Sequence, residues 1–323
     1  MTLTQRPTGR PVVAAPAPRR TIADRLPAAR KGALPYGLLL PALLALVAAL
    51  GYPLVRQVVL SFQEFGLRQQ FGAPPDWVGL QNYRDVLADP YLWKLVLRSV
   101  LFCFVNAGLT MALGVAVALL MRVMSRPVRL LVQAGMLVAW AMPVLASLTV
   151  WTWLFDTQYG VVNWILDRLG GDFAGHSWLI EPMSFFLVAT LLVVWMSIPF
   201  VAFTVYAALT QVPADVVEAA EVDGAGPWQR VRLVILPSIR PVLLVVGLLQ
   251  VIWGLRVFTQ IYVLQQAGGL TRETNLLGTY IYRSGIGEGN FGVAATVAMF
   301  MLVLTVLLTA PYVFRMLREE GTA

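Results

Sequence analysis

Six long blocks of apolar residues, separated by shorter segments that contain charged residues, proline and glycine, run along this chain. A helix needs roughly 20 apolar residues to cross a hydrocarbon core about 30 Å thick, and each block supplies that length. Apolar residues cover all sides of the blocks, which is typical of helices that share their surface between lipid and other helices. Because only helices and closed barrels satisfy the backbone in lipid, the pattern predicts six transmembrane helices, at residues 35–61, 96–121, 130–155, 184–211, 238–265 and 290–314.

The composition agrees with this pattern. Of the 323 residues, 58% are hydrophobic and only 13% are charged, whereas a soluble domain carries about 25% charged residues. These values exclude a soluble enzyme, a disulfide-stapled secreted domain and a disordered protein. The predicted fold class is therefore an all-α, polytopic membrane protein.

The distribution of basic residues predicts the orientation. With the N-terminus in the cytoplasm, fifteen of the 24 lysines and arginines lie in or beside cytoplasmic segments, and six lie in outer loops. Such an excess marks the cytoplasmic side, so both termini of this plasma-membrane protein are expected there. The same distribution explains the net charge of +7 without a nucleic-acid partner. The predicted domains are a disordered basic tail (1–34), a transmembrane domain (35–314) and a short cytoplasmic tail (315–323).

The predicted spans lack the residues that would power or catalyse a reaction. All 17 acidic residues fall outside the spans, whereas ion-coupled carriers often keep a carboxylate or histidine inside the membrane. The sequence has no G-x-x-x-x-G-K-[ST] phosphate loop, and its one cysteine, Cys103, and one histidine, His176, cannot form a metal cluster. We therefore expect no catalytic site, no metal and no cofactor, and we expect uphill transport to be driven by another subunit.

The cytoplasmic loop between the fourth and fifth spans, residues 212–237, has helical patterning. A short helix from about Ala214 would turn its apolar residues to one side and its acidic residues outward. Gly224 and then Gly226-Pro227 should end this helix, since glycine permits positive φ and proline cannot continue a helical ladder. The pattern fits a helix on the membrane surface or one that docks into a partner's groove. The apolar residues of this predicted face are Val216, Val217, Ala220 and Val222.

The residues of this loop resemble a known signature. They read Glu218-Ala219-Ala220-Glu221-Val222-Asp223-Gly224-Ala225, then a hydrophobic and basic stretch that ends in Leu236-Pro237. This pattern resembles the signature of permease subunits of ATP-binding-cassette (ABC) importers. The resemblance implies that the loop is a coupling helix that docks into a cleft of an ATP-binding subunit. It also implies that Glu218, Ala219, Ala220, Asp223, Gly224 and Ala225 form the contact.

Three further segments resemble the carbohydrate-uptake branch, as in the first membrane subunit of maltose-type importers. They are Gly79-Leu80-Gln81-Asn82-Tyr83, the stretch from Val257 to Leu264, and Asn290-Phe291-Gly292-Val293-Ala294-Ala295. The chain departs from that branch at Thr259, where Asp is usual, and at Ala267-Gly268-Gly269, where Gly-Gly-Pro is usual. The resemblance implies a second permease subunit, two copies of an ATP-binding subunit, an extracytoplasmic sugar-binding protein and a carbohydrate substrate.

A stripe of the fifth span combines a hydrogen-bonding amide, an aromatic ring and a gap. Gln250, Trp253, Gly254 and Val257 recur at helical spacing, and such a face suits either a sugar or helix packing. By resemblance to the maltose permease subunit, these four residues are sugar-contacting positions, as are Ser197 and Phe200. The last two flank Pro199, where a lost hydrogen bond is expected to open the helix locally. Arg256, near the middle of the span, is a pathway or gate candidate, because a charge there costs about 2.5 kcal/mol or more.

The predicted function is therefore that of a permease subunit of an ATP-driven sugar importer, which forms half of the pathway and couples to an ATPase. Two alternatives remain open from the residues. One is an ABC permease for another solute, such as glycerol phosphate, and the other is an ion-coupled secondary carrier.

Overall fold

The computed structural model of the protein describes residues 28–320. The predicted disorder of residues 1–27, and residues 321–323 of the predicted C-terminal tail, lie outside the described residues. The chain divides into two units, residues 1–56 and residues 57–323.

The first unit contributes the beginning of the first span. Helix α1 (Ala28–Leu46) is followed by a π-helical turn (Val47–Gly51) and by helix α2 (Tyr52–Ser61). The window Leu38–Ser61 is apolar and long enough to cross a membrane, as predicted. Helix α1 begins seven residues before the predicted start at residue 35. Residues 28–34, assigned to the tail, are therefore helical, because this stretch contains alanine, arginine and lysine, which are strong helix formers.

The second unit continues with a short segment of strands and short helices, and then with the other candidate spans. The segment contains a two-stranded antiparallel sheet, β1 (Gln63–Glu64) with β2 (Asp76–Trp77), together with two helices, α3 (Leu67–Gln70) and α4 (Gln81–Ala88). Three helices are long and uninterrupted, α5 (Pro90–Val123), α9 (Pro182–Leu209) and α17 (Phe291–Glu320). Helix α17 runs past the predicted end of its span at residue 314, so the start of the predicted cytoplasmic tail is helical.

The third predicted span, residues 130–155, is not one straight helix. It consists of α6 (Arg126–Ala141) and α7 (Val144–Leu154), which meet at an angle of 100°. Pro143 lies at the break, and proline both removes a backbone donor and forces the residue before it out of the helical region. The described part of the chain therefore has five candidate spans, or six when the bent pair is taken as one.

The fifth predicted span is also interrupted. Helix α13 (Arg240–Leu255) stops before Arg256, and helix α14 (Thr259–Gln266) begins after Phe258. By contrast, the predicted opening at Pro199 does not occur, because α9 continues as an α-helix through this buried residue. Proline is tolerated inside membrane helices because neighbouring helices and local adjustments compensate for the missing N–H, and Pro199 is buried within the protein.

Short helices connect the spans. Between α7 and α9 lies α8 (Val161–Arg168), and between α9 and α13 lie α10 (Ala214–Val222), α11 (Pro227–Arg230), a π-helical turn (Val231–Ile235) and α12 (Leu236–Ser238). After α14 come α15 (Thr271–Thr274), α16 (Leu277–Tyr282) and another π-helical turn (Arg283–Gly287).

Three spans form the centre of the second unit. Helices α5 and α9 lie along each other, and α13 contacts both of them. The approach of α5 to α9 is close at Gly114, where a side chain would collide with Val201. Buried apolar residues of α9, such as Phe185 and Leu192, pack with Ile261 of α14. This packing holds the middle of α9 beside the interruption of the fifth span.

Candidate functional site

A cavity of about 400 Å³ lies where α5, α9 and the interrupted fifth span meet. Each of these elements contributes to its wall. The lining residues are Asn106, Ala107, Val193, Met196, Ser197, Gln250, Trp253, Gly254, Arg256, Val257 and Gln260.

Five of the six residues predicted to contact a sugar line this cavity, namely Ser197, Gln250, Trp253, Gly254 and Val257. The sixth, Phe200, supports the wall from behind. Its ring packs edge-to-face on Trp253, with a centroid separation of 4.9 Å. Trp253 remains 44% exposed, so its indole contacts both Phe200 and the open space.

The structure corrects the geometry of the predicted stripe. Because α13 ends at Leu255, Val257 does not continue the helical face that carries Gln250, Trp253 and Gly254. Val257 lies in the non-helical link between α13 and α14, and this link turns it into the same wall. The interruption of the span, rather than helical periodicity, brings the fourth residue to the cavity.

Gly254 lies both in the cavity wall and at a contact between two helices. It lines the cavity, and a Cβ built on it would lie 3.0 Å from Sγ of Cys103 and 3.3 Å from the Cα of Cys103. Cys103 is itself buried, and its thiol donates to the backbone carbonyl of Val251 at 3.3 Å. A side chain at position 254 would therefore push α13 away from α5 as well as narrow the cavity.

Arg256 is the positive group of the wall. It lies in the link that interrupts the fifth span, where its backbone N–H donates to the carbonyl of Trp253 at 3.0 Å. The residue is exposed, and among residues 28–320 no carboxylate forms an ion pair with it. The interruption thus presents a guanidinium to the cavity.

The cavity also contains polar residues that the sequence analysis missed. Asn106 of α5 and Gln260 of α14 line the wall, and Asn106 is 97% buried. A signal for Asn106 was present, since a polar side chain in the middle of an apolar span is costly and often functional. Gln260 carried the same signal, since it is an amide inside the predicted fifth span and in the stretch from Val257 to Leu264, but its place in the wall depends on the direction that the chain takes after the break.

The residues of the predicted coupling loop form a second candidate site, between α9 and α13 in the sequence. Helix α10 spans Ala214–Val222, as predicted, and Gly224 follows it with φ of +85°. The N–H of Gly224 donates to the carbonyl of Glu221, and the N–H of Ala225 donates to that of Ala220, at 3.0 and 2.9 Å. These two bonds form a Schellman motif, in which the left-handed residue is usually glycine.

The exposed face of α10 differs from the prediction. Val217 and Ala220 are partly buried, but Val216 and Val222 are 47% and 88% exposed. At 3.6 residues per turn, Val216, Val217 and Ala220 lie on one side of α10 and Val222 lies on another, so the predicted one-sided cluster was wrong for Val222.

One of the acidic residues of this loop is paired with a basic residue, and two others are exposed. Glu221 forms an ion pair with Arg230 of α11, whereas Glu218 and Asp223 are exposed. The loop therefore presents carboxylates and apolar side chains together.

Comparison with known proteins identifies the family. Residues 109–315 match the family described as binding-protein-dependent transport system inner membrane component. The chain belongs to this family. The matched region includes α9, the coupling loop and the interrupted fifth span, and so contains nearly all of the candidate residues. The prediction of an ABC importer permease is confirmed.

Full-length relatives agree with this assignment. The permease is 43% identical over 295 residues to the diacetylchitobiose uptake system permease protein DasB of Streptomyces coelicolor, which covers 91% of this chain and 90% of the relative. It is 33% identical over 280 residues to the trehalose/maltose transport system permease protein MalF of Thermococcus litoralis, which covers 85% and 92%. A membrane transport subunit, rather than an enzyme, is the shared character of the family.

The fold agrees as well. The permease superimposes on a chain of a bacterial ABC transporter involved in the import of the acidic polysaccharide alginate, with a TM-score of 0.72 and 21% identity over 90% of this chain and 96% of that one. The all-α, multi-pass architecture predicted from the apolar blocks is confirmed.

Proposed function

We propose that this permease forms half of the translocation pathway of an ATP-driven sugar importer. The observation that carries the proposal is the cavity wall, which combines an amide at Gln250, a hydroxyl at Ser197 and an exposed indole at Trp253. Sugar hydroxyls need hydrogen-bonding partners of these types, and the C–H face of a pyranose ring stacks on an indole.

The size of the cavity and the names of the relatives support a small saccharide. Ligand pockets usually measure roughly 300–1,000 Å³, and this one is about 400 Å³. Relatives that are 43% and 33% identical are named for diacetylchitobiose and for trehalose/maltose. A mono-, di- or oligosaccharide is therefore the proposed substrate, and an N-acetylated disaccharide is the first candidate to assay.

The remaining subunits follow from the family and from the coupling loop. A second permease subunit would complete the pathway in a heterodimer, and two copies of an ATP-binding subunit would dock on the cytoplasmic side. There α10, with its exposed carboxylates and valines, would fit a cleft, and Glu218, Ala219, Ala220, Asp223, Gly224 and Ala225 would form the contact. An extracytoplasmic sugar-binding protein would deliver the substrate. Closure of the ATPase dimer would then move the permeases between two orientations.

Reconstitution tests this function. The permease, its sister subunit, the ATPase and the binding protein are placed in liposomes with ATP inside, and uptake of labelled disaccharides is measured. We expect accumulation that requires both ATP and the binding protein. Accumulation that persists without ATP, or that collapses on addition of an ionophore, would identify an ion-coupled carrier and contradict the proposal.

Arg256 supports a second candidate substrate. A guanidinium without a carboxylate partner in the cavity wall favours an anionic solute such as glycerol phosphate. Uptake of glycerol 3-phosphate in the same liposomes, abolished by Arg256→Gln and retained in part by Arg256→Lys, would favour this candidate over a neutral sugar.

The orientation of the chain is also a proposal, with both termini and α10 in the cytoplasm. The buried Cys103 is the sole cysteine of the sequence, so single cysteines can be introduced without a reactive background. The Asp223→Cys variant should react with an impermeant maleimide only from the cytoplasmic side. The Asp172→Cys variant, in the predicted outer loop, should react with the same maleimide only from outside.

A further inference from the structure

Two amide side chains of the cavity wall carry polar atoms that have no hydrogen-bond partner. Asn106 of α5 is 3% exposed and Gln250 of α13 is 4% exposed. Oδ1 of Asn106 and Nε2 of Gln250 are both buried and unpaired, although both residues line the cavity. Each buried, unsatisfied polar atom costs about 1–3 kcal/mol, so the pair calls for a physical explanation.

The orientation of Asn106 is set by its other amide atom. Nδ2 of Asn106 donates to the backbone carbonyl of Phe102 at 2.7 Å. Because nitrogen occupies that position, the unpaired atom is an oxygen and can only accept. Gln250 presents the opposite character, since its unpaired Nε2 can only donate. The wall thus offers one acceptor from α5 and one donor from α13.

An acetamido group matches this pair. It carries an N–H donor and a C=O acceptor on separate atoms of one rigid plane, whereas a sugar hydroxyl concentrates both functions on a single oxygen. Its methyl group needs an apolar neighbour, and Ala107, Val193 and Met196 line the same cavity. Trp253 is available to the sugar ring itself.

We propose that Asn106 and Gln250 form a subsite for the acetamido group of an N-acetylated sugar, with Asn106 accepting from the amide N–H and Gln250 donating to the carbonyl. This inference rests on the proposed sugar-import function and extends it to a substrate class. Both atoms are covered in the present conformation, and the alternation of the permease between orientations is the step that opens the wall to them.

Equilibrium binding to the assembled importer in nanodiscs tests the subsite without the selectivity of the binding protein. The probes are N,N′-diacetylchitobiose and cellobiose, which share a β-1,4-linked disaccharide frame and differ at the acetamido positions. We expect the wild-type complex to bind the acetylated sugar at least about tenfold more tightly, the change expected for one well-made polar contact. Asn106→Leu and Gln250→Leu should each weaken binding of the acetylated sugar more than binding of cellobiose, and so remove most of this difference.

Thr110→Val is the matched control. Thr110 lies one turn beyond Asn106 on α5, and its buried Oγ1 is also unpaired, but it does not line the cavity. This variant should keep the wild-type preference, and each complex is first checked for assembly and ATPase activity. Equal binding of the two sugars by the wild type, or a parallel loss of both sugars in Asn106→Leu and Gln250→Leu, overturns the subsite alone. Failure of the wild type to bind or import any sugar overturns the proposed function as well.

Discussion

Gly254 of α13 lies directly against Cys103 of α5, so closely that a Cβ on Gly254 would be 3.0 Å from Sγ and 3.4 Å from the carbonyl oxygen of Cys103. Two of the three helices that enclose the cavity meet at this point. The relationship links the packing of the membrane domain to the shape of its cavity, since neither helix can shift here without changing the wall that Gly254 lines.

Gly254→Ala is expected to destabilise the permease, because the new methyl group would press on Cys103, including its backbone atoms in α5. Overpacking of this kind costs about 1–3 kcal/mol, and the thermal unfolding midpoint in detergent measures it. Cys103→Ala in the same chain should recover part of the loss by removing the contact with Sγ. Gly247→Ala, on the same helix, is the control, since the nearest atom to its Cβ lies 4.0 Å away. Equal effects at positions 247 and 254 would contradict the close contact.

Gly224→Ala is expected to weaken coupling to the ATPase. The φ of +85° at Gly224 places an alanine in the left-handed region, at a cost of about 1–2 kcal/mol. The backbone at the end of α10 would therefore adopt a different conformation. Sugar-stimulated ATPase activity of the reconstituted complex measures this loss. Gly224→Asn should retain more activity, because asparagine tolerates this conformation. Gly226→Ala should be nearly silent, since φ at Gly226 is −65°. Full activity of Gly224→Ala would refute this role of the turn.

Trp253→Ala is expected to reduce sugar uptake more than Phe200→Ala does. Trp253 lines the cavity, whereas Phe200 does not line it and contacts the indole edge-to-face. Removing a stacking surface should lower the rate at low sugar concentration by about tenfold or more, the equivalent of 1.4 kcal/mol. Trp253→Phe should restore part of the rate. If uptake is unchanged in Trp253→Ala for every sugar that the complex imports, the indole does not contact substrate.

The turn after α7 is expected to lose stability in acid. Oδ1 of Asp156 accepts hydrogen bonds from the N–H groups of Tyr159 and Gln158, both at 2.8 Å, and these bonds lower the pKa of the Asp156 carboxyl. A carboxyl whose pKa is lower in the folded state stabilises the fold above its unfolded pKa of about 3.9, and this contribution disappears as the pH falls through the folded value. The thermal unfolding midpoint should be measured between pH 3 and 6. Below pH 4, the midpoint of the wild type should fall more steeply with decreasing pH than that of Asp156→Asn. Parallel curves would contradict the assignment.

Hydrophobic blocks and one polar loop were sufficient to predict most of the architecture. Apolar runs located the spans because the bilayer imposes their length, and the residues before Gly224 located the short helix α10 and its glycine turn. The bend at Pro143 had a visible signal in its proline. The break at Arg256–Phe258 has no proline to mark it, and the charge of Arg256 indicated a pathway or gate candidate, not the end of a helix.

The amino-acid sequence by itself determined the number of apolar crossings, the helix that ends at Gly224 and the candidate residues at positions 197, 200, 250, 253, 254 and 257. The first two features depend on local chemistry, on hydropathy over a fixed length and on the φ that glycine permits, whereas the candidate residues came from the resemblance to the maltose permease subunit. Only the tertiary structure decided which of these residues share a cavity, that Asn106 of α5 joins them from a distant part of the sequence, and that Val257 reaches the wall through a break. Such relationships depend on how α5, α9 and α13 pack, and packing is a property of several distant segments at once.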